Sequence, residues 1–305
     1  EQAQAVMKYY TAASLLLMIG IHGCFIALRE IQYRDRVKHL SHSRLILRNW
    51  SLRAGRNLTT ISLLSVGIFI VISVGLNHQD PTLNSGQKTS GTGGYELFVE
   101  TTLPLLDDQT LKSVLADSLN PGSMVSFRKK SGDDGSCLNL NMVQQPQILG
   151  VIPEELSGHF SFSKTLDGSS STADWNLLDT LYGPGVIPAI ADMSVIQWGM
   201  GLKLGDTLHY LDDNGQDLHL ILVGGLSNSI FQGNTIIAEK AFSHYFPFHG
   251  GSQIFLVDTE DAQSTHQTLE IALKDVGPVI GSTGEKLTAF SAVENTYLSI
   301  FLMLG

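Results

Sequence analysis

Cysteine is almost absent from this chain: Cys24 and Cys137 are the only two in 305 residues. One falls in an apolar segment and the other in a polar domain, so no internal disulfide is expected and a disulfide-stapled scaffold is excluded. A lone thiol of the Cys137 kind is expected to be buried and inert. The sequence also lacks the G-x-x-x-x-G-K-[ST] loop whose backbone amides cradle phosphates, which excludes a P-loop nucleotide hydrolase. In the nearest stretch, GPVIGSTGEKLT, Lys286 is followed by Leu287, and Gly281 to Gly284 reads as a turn. No H-E-x-x-H motif occurs; His244 and His249 in HYFPFHG are separated by four residues that include Pro247 and no acid, and read as core or surface histidines. The Asp133-Asp134-Gly135 and Asp212-Asp213-Asn214-Gly215 runs lack the spacing and terminal Glu of a calcium loop and read as hairpin turns. A G-x-S-x-G elbow is missing too, and Gly168-Ser169-Ser170-Ser171 sits in a polar loop; a triad assembled from distant residues stays open.

Charge is missing altogether from two long runs. Thr59 to Leu76, TTISLLSVGIFIVISVGL, is eighteen residues with eleven Leu, Ile, Val or Phe. As a helix it would be about 27 Å long, against a bilayer hydrocarbon core of ~30 Å. Those eleven side chains favour insertion by about 3 to 7 kcal/mol, and the Ser and Thr hydroxyls can bond back to helix carbonyls. A core helix of a soluble protein seldom reaches this length without a polar face. Tyr10 to Leu28, YTAASLLLMIGIHGCFIAL, is a second charge-free run of nineteen residues and fits a first span. Its one titratable group besides the tyrosine and the thiol is His22, beside Gly20 and Gly23 with no carboxylate in the segment, which favours a helix-packing role over a proton relay.

The flanks give these spans a direction. Between them stand Arg29, Arg34, Arg36, Lys38, Arg44, Arg48, Arg53 and Arg56 against Glu30 and Asp35. From Asn77 to Glu294 there are 26 Asp/Glu against 10 Lys/Arg, a net charge of −16 that the whole-chain value of −10 hides. Basic short loops stay cytoplasmic, so residues 29–58 are expected inside and the acidic domain outside. Two readings fit residues 40–58, where apolar residues and Trp50 alternate with arginines: an interfacial helix leading into the span, or a plain basic loop. Sequons at Asn49 and Asn57 fall on the inner side, so glycosylation is not expected there.

Past the span, DPTLNSGQKTSGTGG reads as a linker, or as a mobile loop resting on the domain. YELFVETTLPL is a strand, DDQTLKSVLADSL a helix capped by Asp107 or Asp108, and MVSFRKK a strand. A β-rich middle follows: SCLNLNMV, the buried-type strand VIPAIAD, and TLHYLDDNGQDLHLILVGGL, a hairpin about Asp213-Asn214-Gly215. Then come a short helix, EKAFSHYF, a strand, QIFLVD, and a helix, EDAQSTHQTLEIALKDV, with Leu269, Ala272, Leu273 and Val276 on one face. From Glu285 the pattern is helical and turns wholly apolar in SIFLMLG. The first and last pieces are expected to pack together with the middle inserted between them. The chain opens on Glu1 and stops within an apolar run, and it reads as a piece of a longer protein. Its segments are 1–28, a transmembrane helix; 29–58, a cytoplasmic basic linker and interfacial helix; 59–76, a transmembrane helix; 77–288, the extracytoplasmic domain; and 289–305, the start of the next transmembrane helix.

The segments GRNLTTISLLSVGIFIVISVG, ADMSVIQWGMGLKLGDTL, LVGGLSNSIFQGNTIIAEKAF and AFSAVENTYLSIFLMLG, in this order and spacing, resemble an FtsX-like permease of the MacB type. The resemblance implies an α+β fold in which transmembrane helices flank an extracytoplasmic α/β porter-like subdomain, Tyr95 to Lys130 with roughly Gln253 to Ser282, carrying an inserted β-rich subdomain. It implies a non-enzymatic permease subunit of an ABC transporter in a bacterial inner membrane, with no cofactor and no metal. A separate cytoplasmic ATPase subunit would drive the domain's motion for export or mechanotransmission. Its partners would be that ATPase, the lipid membrane and an extracytoplasmic protein or lipoprotein, with no nucleic acid. A membrane-anchored extracytoplasmic sensor is the alternative, and a tethered enzyme a third reading that a convergent polar pocket would favour.

Overall fold

The computed structural model describes residues 2–34, 46, 49–76, 86–106, 111, 124–132, 145–168, 175–290 and 292. The chain divides into two compact units, residues 1–78 with 295–305, and residues 79–294.

In the first unit, helix α1 spans Gln2–Arg34 and helix α2 spans Ala54–Leu76. Both extend beyond the charge-free runs, because arginine, lysine and glutamine continue a helix as well as leucine does once it is nucleated. Within them Lys8–Ile31 and Ala54–Ser73 are long and apolar enough to cross a membrane. The two helices pack together, and the Tyr10 hydroxyl donates to the Ser73 carbonyl at 3.1 Å. Leu15, Leu16, Met18 and Ile19 of α1 and Leu63, Leu64, Ile68 and Ile72 of α2 are exposed. The packing role expected of His22 is not met against α2: His22 is exposed, and a Cβ added at Gly20 or Gly23 would have nothing within 4 Å. The half-buried positions of α1 run instead through Tyr10, Ala13, Leu17, Ile21 and Phe25, a spacing of three and four that keeps larger side chains on one face. Of the loop between the helices, Asn49 to Leu52 are helical, in keeping with a helix leading into α2, and residues 35–45 lie outside the described residues.

Among the described residues the second unit holds ten strands: β1 (Leu97–Leu105), β2 (Met124–Lys130), β3 (Gln147–Val151), β4 (Phe162–Thr165), β5 (Val186–Asp192), β6 (Thr207–Leu211), β7 (Asp217–Leu226), β8 (Asn234–Ala238), β9 (Ser252–Val257) and β10 (Pro278–Ser282). Their order is β10-β1-β9-β2-β3-β8-β5-β7-β4, with β6 on β7. The hinge of the design is β2. Its first half, Met124 to Phe127, pairs antiparallel with β9, and its second, Arg128 to Lys130, pairs antiparallel with β3. One strand thereby joins the sheet made by the first and last pieces of the domain to the sheet made by the middle. The expected α+β fold, an α/β-like half with a β-rich insertion, is the fold observed.

Helices α3 (Glu239–Tyr245) and α4 (Ala262–Ala272) cover these sheets. Phe242 of α3 and Phe246 just past its end pack with Ile148, Ile187, Ala189 and Ile237, while Leu269 and Leu273 from α4 and its end pack with Leu97, Val99, Phe255 and Val257. Gly150 lets α3 approach: a Cβ there would stand 2.6 Å from Cβ and Cγ of Phe242. The Asp261 carboxylate accepts from Ser264 N (3.1 Å) and starts α4. The helix ends earlier than its pattern suggests, because Lys274–Val276 tightens to a 3-10 turn and Gly277 turns left-handed at φ +65°.

One expectation changes. Gly281 to Gly284 is not a turn: Gly281 pairs with Phe98 inside strand β10, and the chain is helical from residue 283. Pairing with β1 satisfies the backbone groups that a Gly/Ser-rich stretch was expected to leave to a loop. Of the two readings of residues 80–94, residues 86–94 follow the loop resting on the domain: they form turns whose backbone accepts from Phe160 N and Ile230 N. The β6–β7 hairpin is as read, with Gly215 at φ +80° and the Asp212 carboxylate accepting from Asn214 N (2.9 Å) and Gln216 N (2.7 Å). The helix expected over residues 107–119, the strand SCLNLNMV, Cys137, Asp133 to Gly135, Ser169 to Ser171 and the apolar run after residue 292 lie outside the described residues; of the 107–119 segment only Leu111 is described, and it is buried.

Candidate functional site: the clasp where the chain joins and leaves the large domain

The backbone joins the sheet at Glu96 and leaves it at Thr283, and these two residues are hydrogen-bonded neighbours. Glu96 N donates to Val257 O (3.0 Å) and Thr283 N donates to Glu96 O (3.0 Å). The Thr283 hydroxyl, fully buried, donates to the Tyr95 carbonyl. Leu97 then pairs with Ser282, so the first residue of β1 stands opposite the last residue of β10 and the two strands run antiparallel from there.

Residues 86–94 lie against this junction because small residues let their backbone come close. Lys88 O accepts from Phe160 N (2.6 Å) and Gly91 O accepts from Ile230 N (2.9 Å). Gly93 O lies 2.6 Å from His159 Nδ1, which donates as the Nδ1–H tautomer. A Cβ on Gly91 would stand 1.9 Å from the Asn228 carbonyl oxygen, so no side chain fits between the two loops. Phe160 and Asn228, at φ +64° and +45°, both hold left-handed backbone without being glycine.

An aromatic chain runs inward from here. Tyr95 stacks on His159 with ring centres 4.8 Å apart, Phe160 meets Trp175 at 6.0 Å and Phe231 at 5.0 Å, and Phe231 meets Phe127 of β2 at 5.3 Å. Trp175 Nε1 donates to His159 O (3.0 Å). Each ring contact adds roughly 0.5–1.5 kcal/mol beyond area burial, and rings in contact transmit displacement poorly damped because the interior is close-packed. Leu287, one turn into the helix that starts at residue 283, belongs to the same buried cluster. The chain's exit is therefore rooted in the central core.

Three ionisable groups sit in or beside the clasp. Burial and the Asp258 and Glu155 carboxylates push the Tyr95 phenol up, and its hydroxyl is buried without a partner among the described residues. Burial raises the Asp192 carboxyl, opposed by its four donors: Ser194 N (3.0 Å), Ser194 Oγ (2.6 Å), Ser229 N (2.7 Å) and Ser229 Oγ (3.1 Å). This carboxylate anchors the loop that carries Asn228 and Ile230. Burial pulls Lys286 down to about 8, with Glu100 opposing and Lys129 reinforcing the shift; its Nζ stands 3.3 Å from the centre of the Phe98 ring.

The residues singled out from sequence do not gather here. Cys24 is exposed on α1. His249 lies 3.6 Å from Asp213, whose carboxylate also accepts from Phe248 N (2.9 Å), while His244 packs edge-on to Tyr245. Among the described residues no group of three or more His, Cys, Asp or Glu is placed to hold a metal ion. Tyr95, His159, Trp175, Asp192 and Thr283 were not legible as a group, since they are scattered over 188 positions; the signal nearest to them is the glycine-rich GTGG before Tyr95, which close backbone approach explains.

No family profile and no curated protein matches the chain. Among solved structures, the chain is similar to the periplasmic region of MacB from Actinobacillus actinomycetemcomitans, at 14% identity over 71% of this chain and 99% of that one, with a TM-score of 0.37. It is similar also to the extracellular domain of the noncanonic ABC-type transporter YknZ from Gram-positive bacteria, at 13% identity over 61% of this chain and 98% of that one, with a TM-score of 0.31.

Proposed function

We propose that this chain is a non-enzymatic permease subunit of an ABC transporter in a bacterial inner membrane. ATP hydrolysis by a separate cytoplasmic subunit moves the membrane helices, and the acidic domain outside moves with them, for export or for force transmission to an extracytoplasmic protein or lipoprotein. The observation that carries the reading is the clasp: Thr283 binds Tyr95 and Glu96, so a displacement of the chain's exit acts at once on β1 and on the loop 86–94. Two helices with long charge-free runs, a basic loop between them and an acidic domain after them support the proposed topology. Leu287 in the core adds a lever, because a helix whose side chain is locked into the packed interior cannot slide without moving it.

The test is purification of the full-length protein from membranes with identification of the proteins bound to it and an assay of ATP hydrolysis. Recovery of an ATPase whose activity depends on this chain, and falls with Thr283→Val, supports the proposal. Reproducible recovery without an ATPase overturns it and leaves a membrane-anchored sensor.

A further inference from the structure

The β6–β7 hairpin carries a histidine pair that the transporter reading does not use. His219 N donates to Gly185 on the far side of β7, so His209 and His219 face each other at a position without hydrogen bonds across β6–β7. At such positions the strands bring opposed side chains closest. The two imidazole ring centres are 5.2 Å apart, with planes at 66°. Two imidazoles that bind one metal ion at ~2.0–2.1 Å in tetrahedral geometry place their ring centres about 5 Å apart. Asp217, two residues before His219 and diagonal to His209, lies 3.1 Å from His209 Nε2 through Oδ1. With Nε2–H donating to that carboxylate, Nδ1 keeps the lone pair, which is the way carboxylates orient metal-binding histidines. His209 and Asp217 are exposed and His219 is half-buried, so an ion reaches the pair from solvent.

We infer that His209 and His219, with Asp217 as the positioning residue, form a two-imidazole chelate for a divalent transition metal of the kind imidazole favours: copper, nickel or zinc. Water completes the coordination. Two nitrogen ligands on facing strands make the ion a staple across the hairpin. The turn of that hairpin presents Asp213 to Phe248 N, to Lys130 Nζ (3.6 Å) and to His249 (3.6 Å), so the staple stiffens the element that ties the inserted half to the end of β2.

The probe is Cu2+, the most tightly held of the three by nitrogen sites. The full chain, purified in detergent without a histidine tag, is titrated with Cu2+ and read by electron paramagnetic resonance and by thermal melting. The expected result is one principal site with two imidazole nitrogens, raising the melting temperature. His209→Ala and His219→Ala abolish both readouts, Asp217→Asn weakens binding about tenfold, and His244→Ala changes neither. A spectrum with a single imidazole, or an affinity that survives His219→Ala in a folded variant, overturns the proposal. So does a melting shift that persists in both histidine variants.

Discussion

Gly91 is the sharpest test of the clasp, because what opposes a side chain there is backbone. A Cβ at this position would lie 1.9 Å from the Asn228 oxygen and 3.1 Å from Leu287 Cδ2. Carbon and oxygen settle at about 3.3–3.6 Å in close contacts, so Gly91→Ala must part the two loops by roughly 1.4 Å or more. That separation breaks the Ile230 N to Gly91 O bond of 2.9 Å, worth about 1 kcal/mol. It also strains a left-handed Asn228 and the packing around Leu287, for which overpacking costs a further 1–3 kcal/mol or so. A loss of about 3 kcal/mol in a domain of this size lowers the melting temperature by roughly 6–12 °C. Gly86→Ala is the control, since a Cβ there meets nothing within 4 Å. Thermal melting of the full chain in detergent compares the two. A Gly91→Ala melt within about 1 °C of wild type would refute the reasoning and return residues 86–94 to the status of a linker.

Asp192→Asn leaves one oxygen for four donors and turns an amide N–H2 towards the rest, so it should cost about 2–3 kcal/mol; an unchanged urea midpoint would count against the network as an anchor. For Lys286, burial holds the folded value at about 8 against the usual 10.5, so the unfolded chain binds more protons between these values and stability rises with pH across that window. The gain is of order 1–2 kcal/mol once remaining solvent contact is allowed for, and Lys286→Met should flatten it; equal urea-midpoint slopes for wild type and variant between pH 7.5 and about 10 would show that the Phe98 ring, not burial, governs this ammonium.

The local elements were readable because their signals are local. MVSFRKK coincides with β2, and VIPAIAD, buried from Ile187 to Asp192 between β7 and β8, reads as the interior strand it is. Asp212 to Gly215 carried its own turn chemistry. Where the sequence misled, partners far along the chain had overruled composition. GPVIGS looks like a turn until β1 supplies its hydrogen bonds, and KTSGTGG reads as either a spacer or a loop on the domain until His159, Phe160 and Ile230 bind its backbone.

The sequence alone determined two charge-free runs long enough to span a membrane, the sign and size of the charge on either side of them, and those elements whose pattern is local, β1, β2, β5, β6, β7, β9, α3 and α4, since hydropathy and charge act residue by residue. Only the tertiary structure decided that β2 is shared by two sheets, that Tyr95 and Thr283 meet, and that His209 faces His219 with Asp217 at its ring nitrogen. Register and strand neighbours are set by packing over the whole sheet, where a slip of one residue turns every side chain to the opposite face, and no single stretch of chain contains that information.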